Sequence, residues 1–274
     1  MIPAPFEYAR AETVDQAIEL LGSREDAKIL AGGHSLLPLM RFRLARPDLL
    51  VDIGRIGDLS YIREDDDVVA IGALTRHHDV ANSELLQTAC PIVADTASQI
   101  GDPQVRHVGT IGGSVAHADP ASDLPTVLVA LGADLVVRGA GGASRTVNAR
   151  DFFKGLFTPD LAPNEVLAEI RVPKTSGGWS YLKFHRRAQD WALVGVAAVQ
   201  QNGAATVALT NMGETPLRAA GVEEALAGGS DPAAAAQRAD EGSAPPSDAF
   251  GSAEYRRELS KVLVRRALEE AMGS

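Results

Sequence analysis

The sequence predicts an α+β protein in three consecutive units: two small α/β units, then a unit that pairs an antiparallel sheet with helices. Three observations carry this expectation. Apolar runs of strand length alternate with helix-period stretches as far as residue 173. Pro173-Lys174-Thr175-Ser176-Gly177-Gly178 is then a polar, turn-rich break. Beyond it, strand-like runs follow one another directly before helical periodicity resumes. The expected units are 1–55, 56–173 and 174–274.

In chain order, Thr13-Val14-Asp15-Gln16 has the form of a capping box, and Val14, Ala17, Ile18 and Leu21 recur at helical spacing up to Gly22. Lys28 to Ala31 and Leu49 to Ile53 read as buried strands. Asp67 to Gly72 begins a second sheet, and the three acids Asp65 to Asp67 beside it read as a solvated turn. Leu85 to Ile100 is helix-like despite Pro91, and Leu124 to Leu131 is helical. Asp134 to Arg138, Ser144 to Val147 and Val166 to Val172 are strands of the second sheet. Trp179 to Phe184, Ala192 to Gln200 and Ala204 to Asn211 suggest an antiparallel meander. Two or three helices follow, with a modest one within Asp231 to Ala239, because alanine is the best helix former. The stretch 240–251 reads as a linker, and in the last helix Tyr255, Leu259 and Val262 share one face.

Composition narrows the function. The 274 residues carry 36 acidic against 26 basic side chains, a formal charge of −10, and no long Lys/Arg run, which argues against a nucleic-acid partner. The N-terminal residues form no signal peptide, and no segment approaches the roughly 20 apolar residues of a membrane span, so a cytoplasmic protein is expected. The single cysteine, Cys90, permits no intrachain disulfide and no iron–sulfur cluster, which needs about four thiolates. It reads as a buried small hydrophobe. Adjacent His77 and His78 diverge on either a strand or a helix, so the histidines do not form a metal site by spacing. No Gly-x-Ser-x-Gly nucleophile elbow occurs.

Two glycine pairs stand eighty positions apart: Ala31-Gly32-Gly33-His34-Ser35-Leu36 and Thr110-Ile111-Gly112-Gly113-Ser114. Each follows an apolar run and precedes a small hydroxyl residue. Glycine admits close approach and the φ > 0 turns that aim successive N–H groups at one anion, so the pair suggests a diphosphate gripped from two sides. The same chemistry also serves plain tight turns. Asp123 lies in a turn rich in Asp, Pro and Ser, where it reads either as a helix cap or as an acceptor for sugar or ribityl hydroxyls. Tyr181, Lys183 and His185 fall on one face of a strand and Leu182, Phe184 and Arg186 on the other; a lysine there projects into a cleft or, by its usual habit, into solvent.

Ala31-Gly32-Gly33-His34-Ser35-Leu36-Leu37-Pro38, Asp102-Pro103-Gln104-Val105-Arg106, Gly109-Thr110-Ile111-Gly112-Gly113-Ser114 and Ala118-Asp119-Pro120-Ala121-Ser122-Asp123 occur in this order, with Ala253-Glu254-Tyr255-Arg256-Arg257 near the end. Together they resemble the FAD-binding medium subunits of molybdenum hydroxylases, of the carbon monoxide dehydrogenase and xanthine dehydrogenase type. Ser114 and His107 depart from the asparagine commoner at both positions. The resemblance implies two subdomains of the vanillyl-alcohol-oxidase type forming an FAD site that a C-terminal domain closes. It implies that both glycine segments hold the diphosphate, that Ser35, Thr110 and Ser114 add hydroxyl contacts, that Asp123 engages the ribityl or diphosphate region, and that Lys183 and Tyr181 approach the flavin edge. By the same resemblance a large subunit carries molybdopterin and a small one carries 2Fe-2S clusters, in a trimer assembled twice. The flavin chain passes electrons on to NAD, oxygen or a quinone, and no side chain of it acts as nucleophile or base. An autonomous FAD-dependent oxidase and a non-catalytic FAD-insertion protein are the competing readings.

Overall fold

The computed structural model describes residues 1–201 and 203–273. The first unit is a parallel sheet of β1 (Glu7–Arg10), β2 (Ala27–Leu30) and β3 (Leu49–Asp52), in the order β1-β3-β2. Helix α1 (Val14–Gly22) crosses from β1 to β2, and the short α2 (Leu36–Arg41) from β2 to β3. Thr13 caps α1 by accepting from the Gln16 amide, but the Gln16 side chain reaches back to the Glu12 amide, one residue earlier than a capping box requires. Ala17, Ile18 and Leu21 bury the predicted stripe against Val51 and Ile53. Removing an isoleucine or leucine side chain from water contributes roughly 1.5–3 kcal/mol each. β1 carries no apolar alternation, and sequence reasoning missed it.

The second unit is an antiparallel five-stranded sheet. It opens with the hairpin β4 (Ile62–Asp65) and β5 (Val68–Gly72), whose turn holds Asp66 at φ 49. Aspartate is among the few residues that tolerate this region, so Asp66 and Asp67 form the expected turn, while Asp65 ends β4 opposite Val68. Helices α3 (His77–Ala81), α4 (Glu84–Ala89), α5 (Pro91–Ser98), α6 (Pro103–Val108), α7 (Ile111–His117) and α8 (Asp123–Leu131) then cover one face. The single helix expected over 85–100 is therefore two. Cys90 takes φ −152, ψ 66 between them, because Pro91 cannot donate into a continuing helix and opens the next one instead. Cys90 is fully buried, and burial pushes its thiol up to about 12. All nine residues of α8 are buried. The chain continues through β6 (Asp134–Arg138), β7 (Ser144–Asn148), α9 (Ala149–Phe152), the small ribbon β8 (Phe153–Gly155) and β9 (Thr158–Pro159), and β10 (Val166–Pro173). β10 closes the sheet order β4-β5-β10-β6-β7, and its Val166 and Ala168 also enter the core of the first unit.

The third unit is the antiparallel meander β11 (Trp179–Phe184), β12 (Val194–Gln201), β13 (Ala204–Thr210) and the short β14 (Leu217–Arg218), followed by α10 (Ala220–Ala227), α11 (Pro232–Ala236) and α12 (Ala253–Met272). One face of this sheet packs on α5 and α8, the other on α12. The sheet is thus sandwiched, and β11 brings the third unit against the second. The face expected for α12 is corrected: Tyr255 and Val262 are exposed and Leu259 reaches only the margin of the core. Its buried face is Arg256, Ser260, Leu263, Val264, Ala267, Leu268 and Ala271. The C-terminal end of α12 lies directly on the start of the meander, where position 178 must be glycine because a Cβ there would stand 1.9 Å from the Ala271 carbonyl oxygen. Arg256 is tolerated inside because its guanidinium donates to the Leu193 carbonyl at 2.6 Å and to Asp248 at 2.7 Å.

Candidate functional site

The first glycine segment joins the end of β2 to the start of α2. Gly33 takes φ 73, and a Cβ on Gly32 would lie 2.4 Å from the Val108 carbonyl oxygen and 2.9 Å from Gly109 Cα. The two segments that the sequence singles out are therefore in contact, which glycine alone allows at position 32. Among the described residues, no carbonyl or side chain accepts from the backbone N–H groups of Gly32, Gly33, His34, Ser35 or Leu36. Ser35 occupies the N-cap position of α2, yet its hydroxyl makes no capping bond. Five successive free amides at a glycine turn leading into a helix form a concavity suited to an anion.

The second segment differs from the loop the sequence suggests. Thr110 is the N-cap of α7, and Gly112 and Gly113 lie in its first turn. Its amides already have acceptors: Ile111 donates to Thr75 O, Gly112 to Ala73 O, Gly113 to Thr110 Oγ1 and Ser114 to Thr110 O. Gly112 is there for packing, because a Cβ would stand 2.4 Å from the Ala73 Cβ. What this segment offers a ligand is therefore its side-chain hydroxyls and close approach rather than a second set of free amides.

The junction is positively biased in an acidic chain. His77 is buried behind Gly109, its amide donates to Gly109 O, and its Nδ1 has no partner among the described residues. Burial pushes the imidazole down to about 4, and the positive charges of His34, Arg106 and Arg76 push the same way. Arg76 Nη1 donates to the Val108 carbonyl, and Arg106 Nη1 to the carbonyls of Ile100 and Gly101 at 2.9 and 3.2 Å. His78 turns away from His77 and stacks on His107 with ring centroids 4.0 Å apart.

Asp123, Tyr181 and Lys183 also meet. Asp123 stands in the first turn of α8, but its carboxylate does not cap the helix: Oδ1 accepts from Tyr181 Oη at 2.6 Å and Oδ2 from Lys183 Nζ at 2.9 Å. Lys183 Nζ also reaches the Gln99 carbonyl at 3.3 Å. The usual solvent exposure of lysine fails here, with 3% of this side chain exposed. Two-residue periodicity holds: Tyr181 faces α5 and α8, while Leu182 and Phe184 pack on the other side of the sheet. His185 and Arg186 lie beyond the strand end and are exposed.

Sequence reasoning missed the loop that follows β11. Two adjoining clefts, of about 340 and 320 Å³, share Arg187 and Asp190. The first is bounded by Trp191, Phe250, Asp119 and Ala121, the second by Gly101 and Asp102 before α6. The signal was the lone tryptophan of a polar stretch, Arg186-Arg187-Ala188-Gln189-Asp190-Trp191, and Trp191 is 57% exposed. An indole so exposed beside a cleft marks a ligand surface better than a packing position.

Two family profiles match this chain: the FAD binding domain in molybdopterin dehydrogenase over residues 4–175, and the CO dehydrogenase flavoprotein C-terminal domain over residues 179–271. The chain belongs to the FAD-binding medium subunits of the molybdenum hydroxylases. The medium chain of carbon monoxide dehydrogenase from Hydrogenophaga pseudoflava is 42% identical over 99% of this chain and 98% of that one. In a solved structure of the carbon monoxide dehydrogenase from that organism, one chain superposes with a TM-score of 0.93 over 100% of this chain and 99% of its own length. The glyceraldehyde dehydrogenase medium chain of Sulfolobus acidocaldarius is 40% identical over 98% of this chain and 99% of that one. Quinoline 2-oxidoreductase from Pseudomonas putida 86 superposes with a TM-score of 0.92 at 33% identity, over 100% of this chain and 99% of the matched one. This medium chain is accordingly an FAD-binding oxidoreductase subunit with the expected fold class. None of its described helices is long and apolar enough to cross a membrane.

Proposed function

We propose that this medium chain relays electrons from 2Fe-2S clusters on a small partner subunit to an external acceptor, after a large molybdopterin-bearing subunit has oxidised the substrate. The observation that carries the reading is the run of free amides from Gly32 to Leu36 inside a positively biased junction. That donor set fits a diphosphate, and with Ala31 it forms the first wall of the FAD site. Ser35 and Ser114 add hydroxyls, Thr110 keeps its O–H free to donate while accepting from Gly113, and Gly113 lets the ligand lie close to α7, whereas Ile111 is buried in the core and Gly112 against Ala73, behind that surface. When bound, FAD supplies redox chemistry that exchanges one or two electrons. The protein's part is to hold, orient and shield it.

The flavin end is assigned to the clefts beside Trp191, which adjoin the turn after α7 and the loop before α6. Asp123, Tyr181 and Lys183 act there as a buried brace between α8 and β11 that fixes the cleft wall; contact of Lys183 or Tyr181 with the flavin edge, and of Asp123 with the ribityl chain, requires that brace to open. In this reading residues 1–55 and 56–173 form the two halves of the FAD site and 174–274 close it. One cysteine in 274 residues leaves iron–sulfur chemistry to a partner chain, and the working assembly is two copies of each of three subunits in the cytoplasm.

The test is purification of the complex from its native host, followed by reduction with the holoenzyme's substrate. Flavin bleaching that requires a partner carrying clusters supports the relay. A yellow single chain that a small molecule reduces directly makes it an autonomous oxidase or dehydrogenase, and a chain that binds FAD without accepting cluster electrons makes it an insertion protein.

A further inference from the structure

The motif Ala253-Glu254-Tyr255-Arg256-Arg257 opens α12, yet the helix itself does not account for Arg256. The helix start is already made: Ser252 Oγ accepts from the Tyr255 amide at 3.1 Å, and Ser247 Oγ from the Ala253 amide at 2.8 Å. A cation one turn into a helix opposes the positive end of the helix dipole, and burial to 1% exposure adds a desolvation cost. An arginine so placed is held by what it reaches. Nη1 donates to the Leu193 carbonyl at 2.6 Å and Nη2 to Asp248 Oδ2 at 2.7 Å, and both acceptors belong to segments that line the first cleft.

Asp248 Oδ1 accepts from the amides of Phe250 and Gly251 at 2.8 and 3.1 Å, closing a turn that displays Phe250 beside the cleft. The Arg187 guanidinium lies 5.6 Å from the centre of the Phe250 ring, and Arg186 Nη1 reaches the carbonyls of Ala249 and Phe250 at 3.3 and 3.4 Å. The Leu193 methyls sit 3.4 and 3.5 Å from where a Cβ on Gly251 would stand. The loop that carries Trp191 has few ties of its own. Its base is closed by the Leu193 amide, which donates to the Phe184 carbonyl at 2.8 Å, but residues 185–192 make no backbone–backbone hydrogen bond among the described residues. Asn211 Nδ2 holds the Ala192 carbonyl at 2.9 Å, and Arg256 holds the next one. The place of Trp191 is thus set from outside the loop, by the turn at 248–251 and by the guanidinium that grips both.

We infer that Arg256 is a positioning residue for the flavin: it pins the loop 185–192 to the 248–251 turn and so fixes where Trp191 and Arg187 stand at the cleft. The inference rests on the assignment of the flavin end to that cleft. A planar guanidinium presents donors in a fixed fork and spans the carbonyl and the carboxylate together, which a lysine ammonium on its flexible stem does not. A cation kept beside the ring also favours the negative charge that a flavin gains on reduction. Release of the loop therefore lowers the flavin potential as well as the affinity.

The experiment purifies the holoenzyme with this chain as wild type, Arg256→Lys, Asp248→Asn or both, and with Lys261→Met as a control that breaks the Asp240 and Glu258 ion pairs elsewhere on α12. It measures FAD affinity after flavin removal, the flavin midpoint potential, and the melting midpoint. Arg256→Lys and Asp248→Asn are each expected to weaken FAD binding by about tenfold and to lower the potential. The double variant should do no more than Arg256→Lys alone, because both changes break one strut. Lys261→Met should leave affinity and potential at wild type. Asp248 is 41% exposed, so Asp248→Asn carries the test where a change at buried Arg256 prevents folding. Wild-type affinity and potential in Asp248→Asn, whatever its melting midpoint, show a packing role alone and overturn the inference, as do additive effects in the double variant. Trp191→Phe in the same holoenzyme tests the cleft assignment separately. If it changes neither affinity nor potential, the flavin lies elsewhere, and the assignment fails before any variant of the strut is compared.

Discussion

Asp123 and Lys183, sixty residues apart in sequence, meet at 2.9 Å with 6% and 3% of their side chains exposed. The pair crosses from the first turn of α8 to the penultimate residue of β11, and Tyr181 occupies the other carboxylate oxygen. A buried pair of this kind is weak support for stability as such, but losing one partner strands a charge. The brace is therefore tested by removing its cation.

Lys183→Met is expected to cost roughly 3–5 kcal/mol in urea unfolding, and Asp123→Asn/Lys183→Met to recover part of it. The pH dependence follows from Asp123, whose carboxyl burial pushes up while Lys183 and Tyr181 pull it back. A carboxyl raised in the folded state contributes stability at low pH that is lost as pH rises through its folded value. Without Lys183 the rise is larger, so the deficit of the variant should widen between pH 4.5 and pH 8. A deficit independent of pH contradicts the buried pairing.

His77 gives the opposite sign. Burial and its positive neighbours hold the folded imidazole near 4 against an unfolded value of 6.5, so the unfolded chain takes up the proton first. The stability this neutral histidine provides is present above 6.5 and lost as pH falls towards 4, up to roughly 3 kcal/mol. Unfolding curves of wild type and His77→Gln, compared across that window, should diverge by about this amount. Parallel curves would show that His77 is not enclosed at the junction.

Contact between the glycine segments is tested at Gly32. In Gly32→Ala the new methyl meets the Val108 carbonyl oxygen at 2.4 Å, so the segments must separate. FAD affinity should fall by about tenfold or more and the melting midpoint by a few degrees. Gly57→Ala, with nothing within 4 Å of the added methyl, should leave both unchanged.

Much of this arrangement was legible in the sequence, for identifiable reasons. Close approach at position 32 and the positive φ at Gly33 are backbone demands that only glycine meets, so the first segment announces itself. The second segment was legible as a location but not as a conformation. Consecutive glycines disfavour helix, and the cap from Thr110 together with packing on Ala73 overrides that preference. Alternation placed Tyr181 and Lys183 on one face, yet nothing local indicates that Asp123 waits there, because the partner is supplied by tertiary packing. The α12 error has a similar origin: the buried face mixes Arg256 and Ser260 with Leu263, Val264, Ala267, Leu268 and Ala271, and the partners that satisfy Arg256 are supplied by tertiary packing, so the face cannot be chosen from apolar spacing alone.

The cleft assignment makes an optical prediction. The chain has two tryptophans, and Trp191 lines the cleft while Trp179 packs against the main core. FAD binding should quench indole emission in wild type and in Trp179→Phe, and far less in Trp191→Phe. Equal quenching in both variants would place the flavin elsewhere.

The most direct test of the central claim is residue-resolved amide hydrogen exchange with and without FAD. The free amides of Gly32 to Leu36 should exchange quickly in the apo chain and become strongly protected when FAD binds, while those of Ile111 to Ser114, already hydrogen-bonded, change little. Unchanged exchange at Gly32 to Leu36 on saturation with FAD would contradict the account.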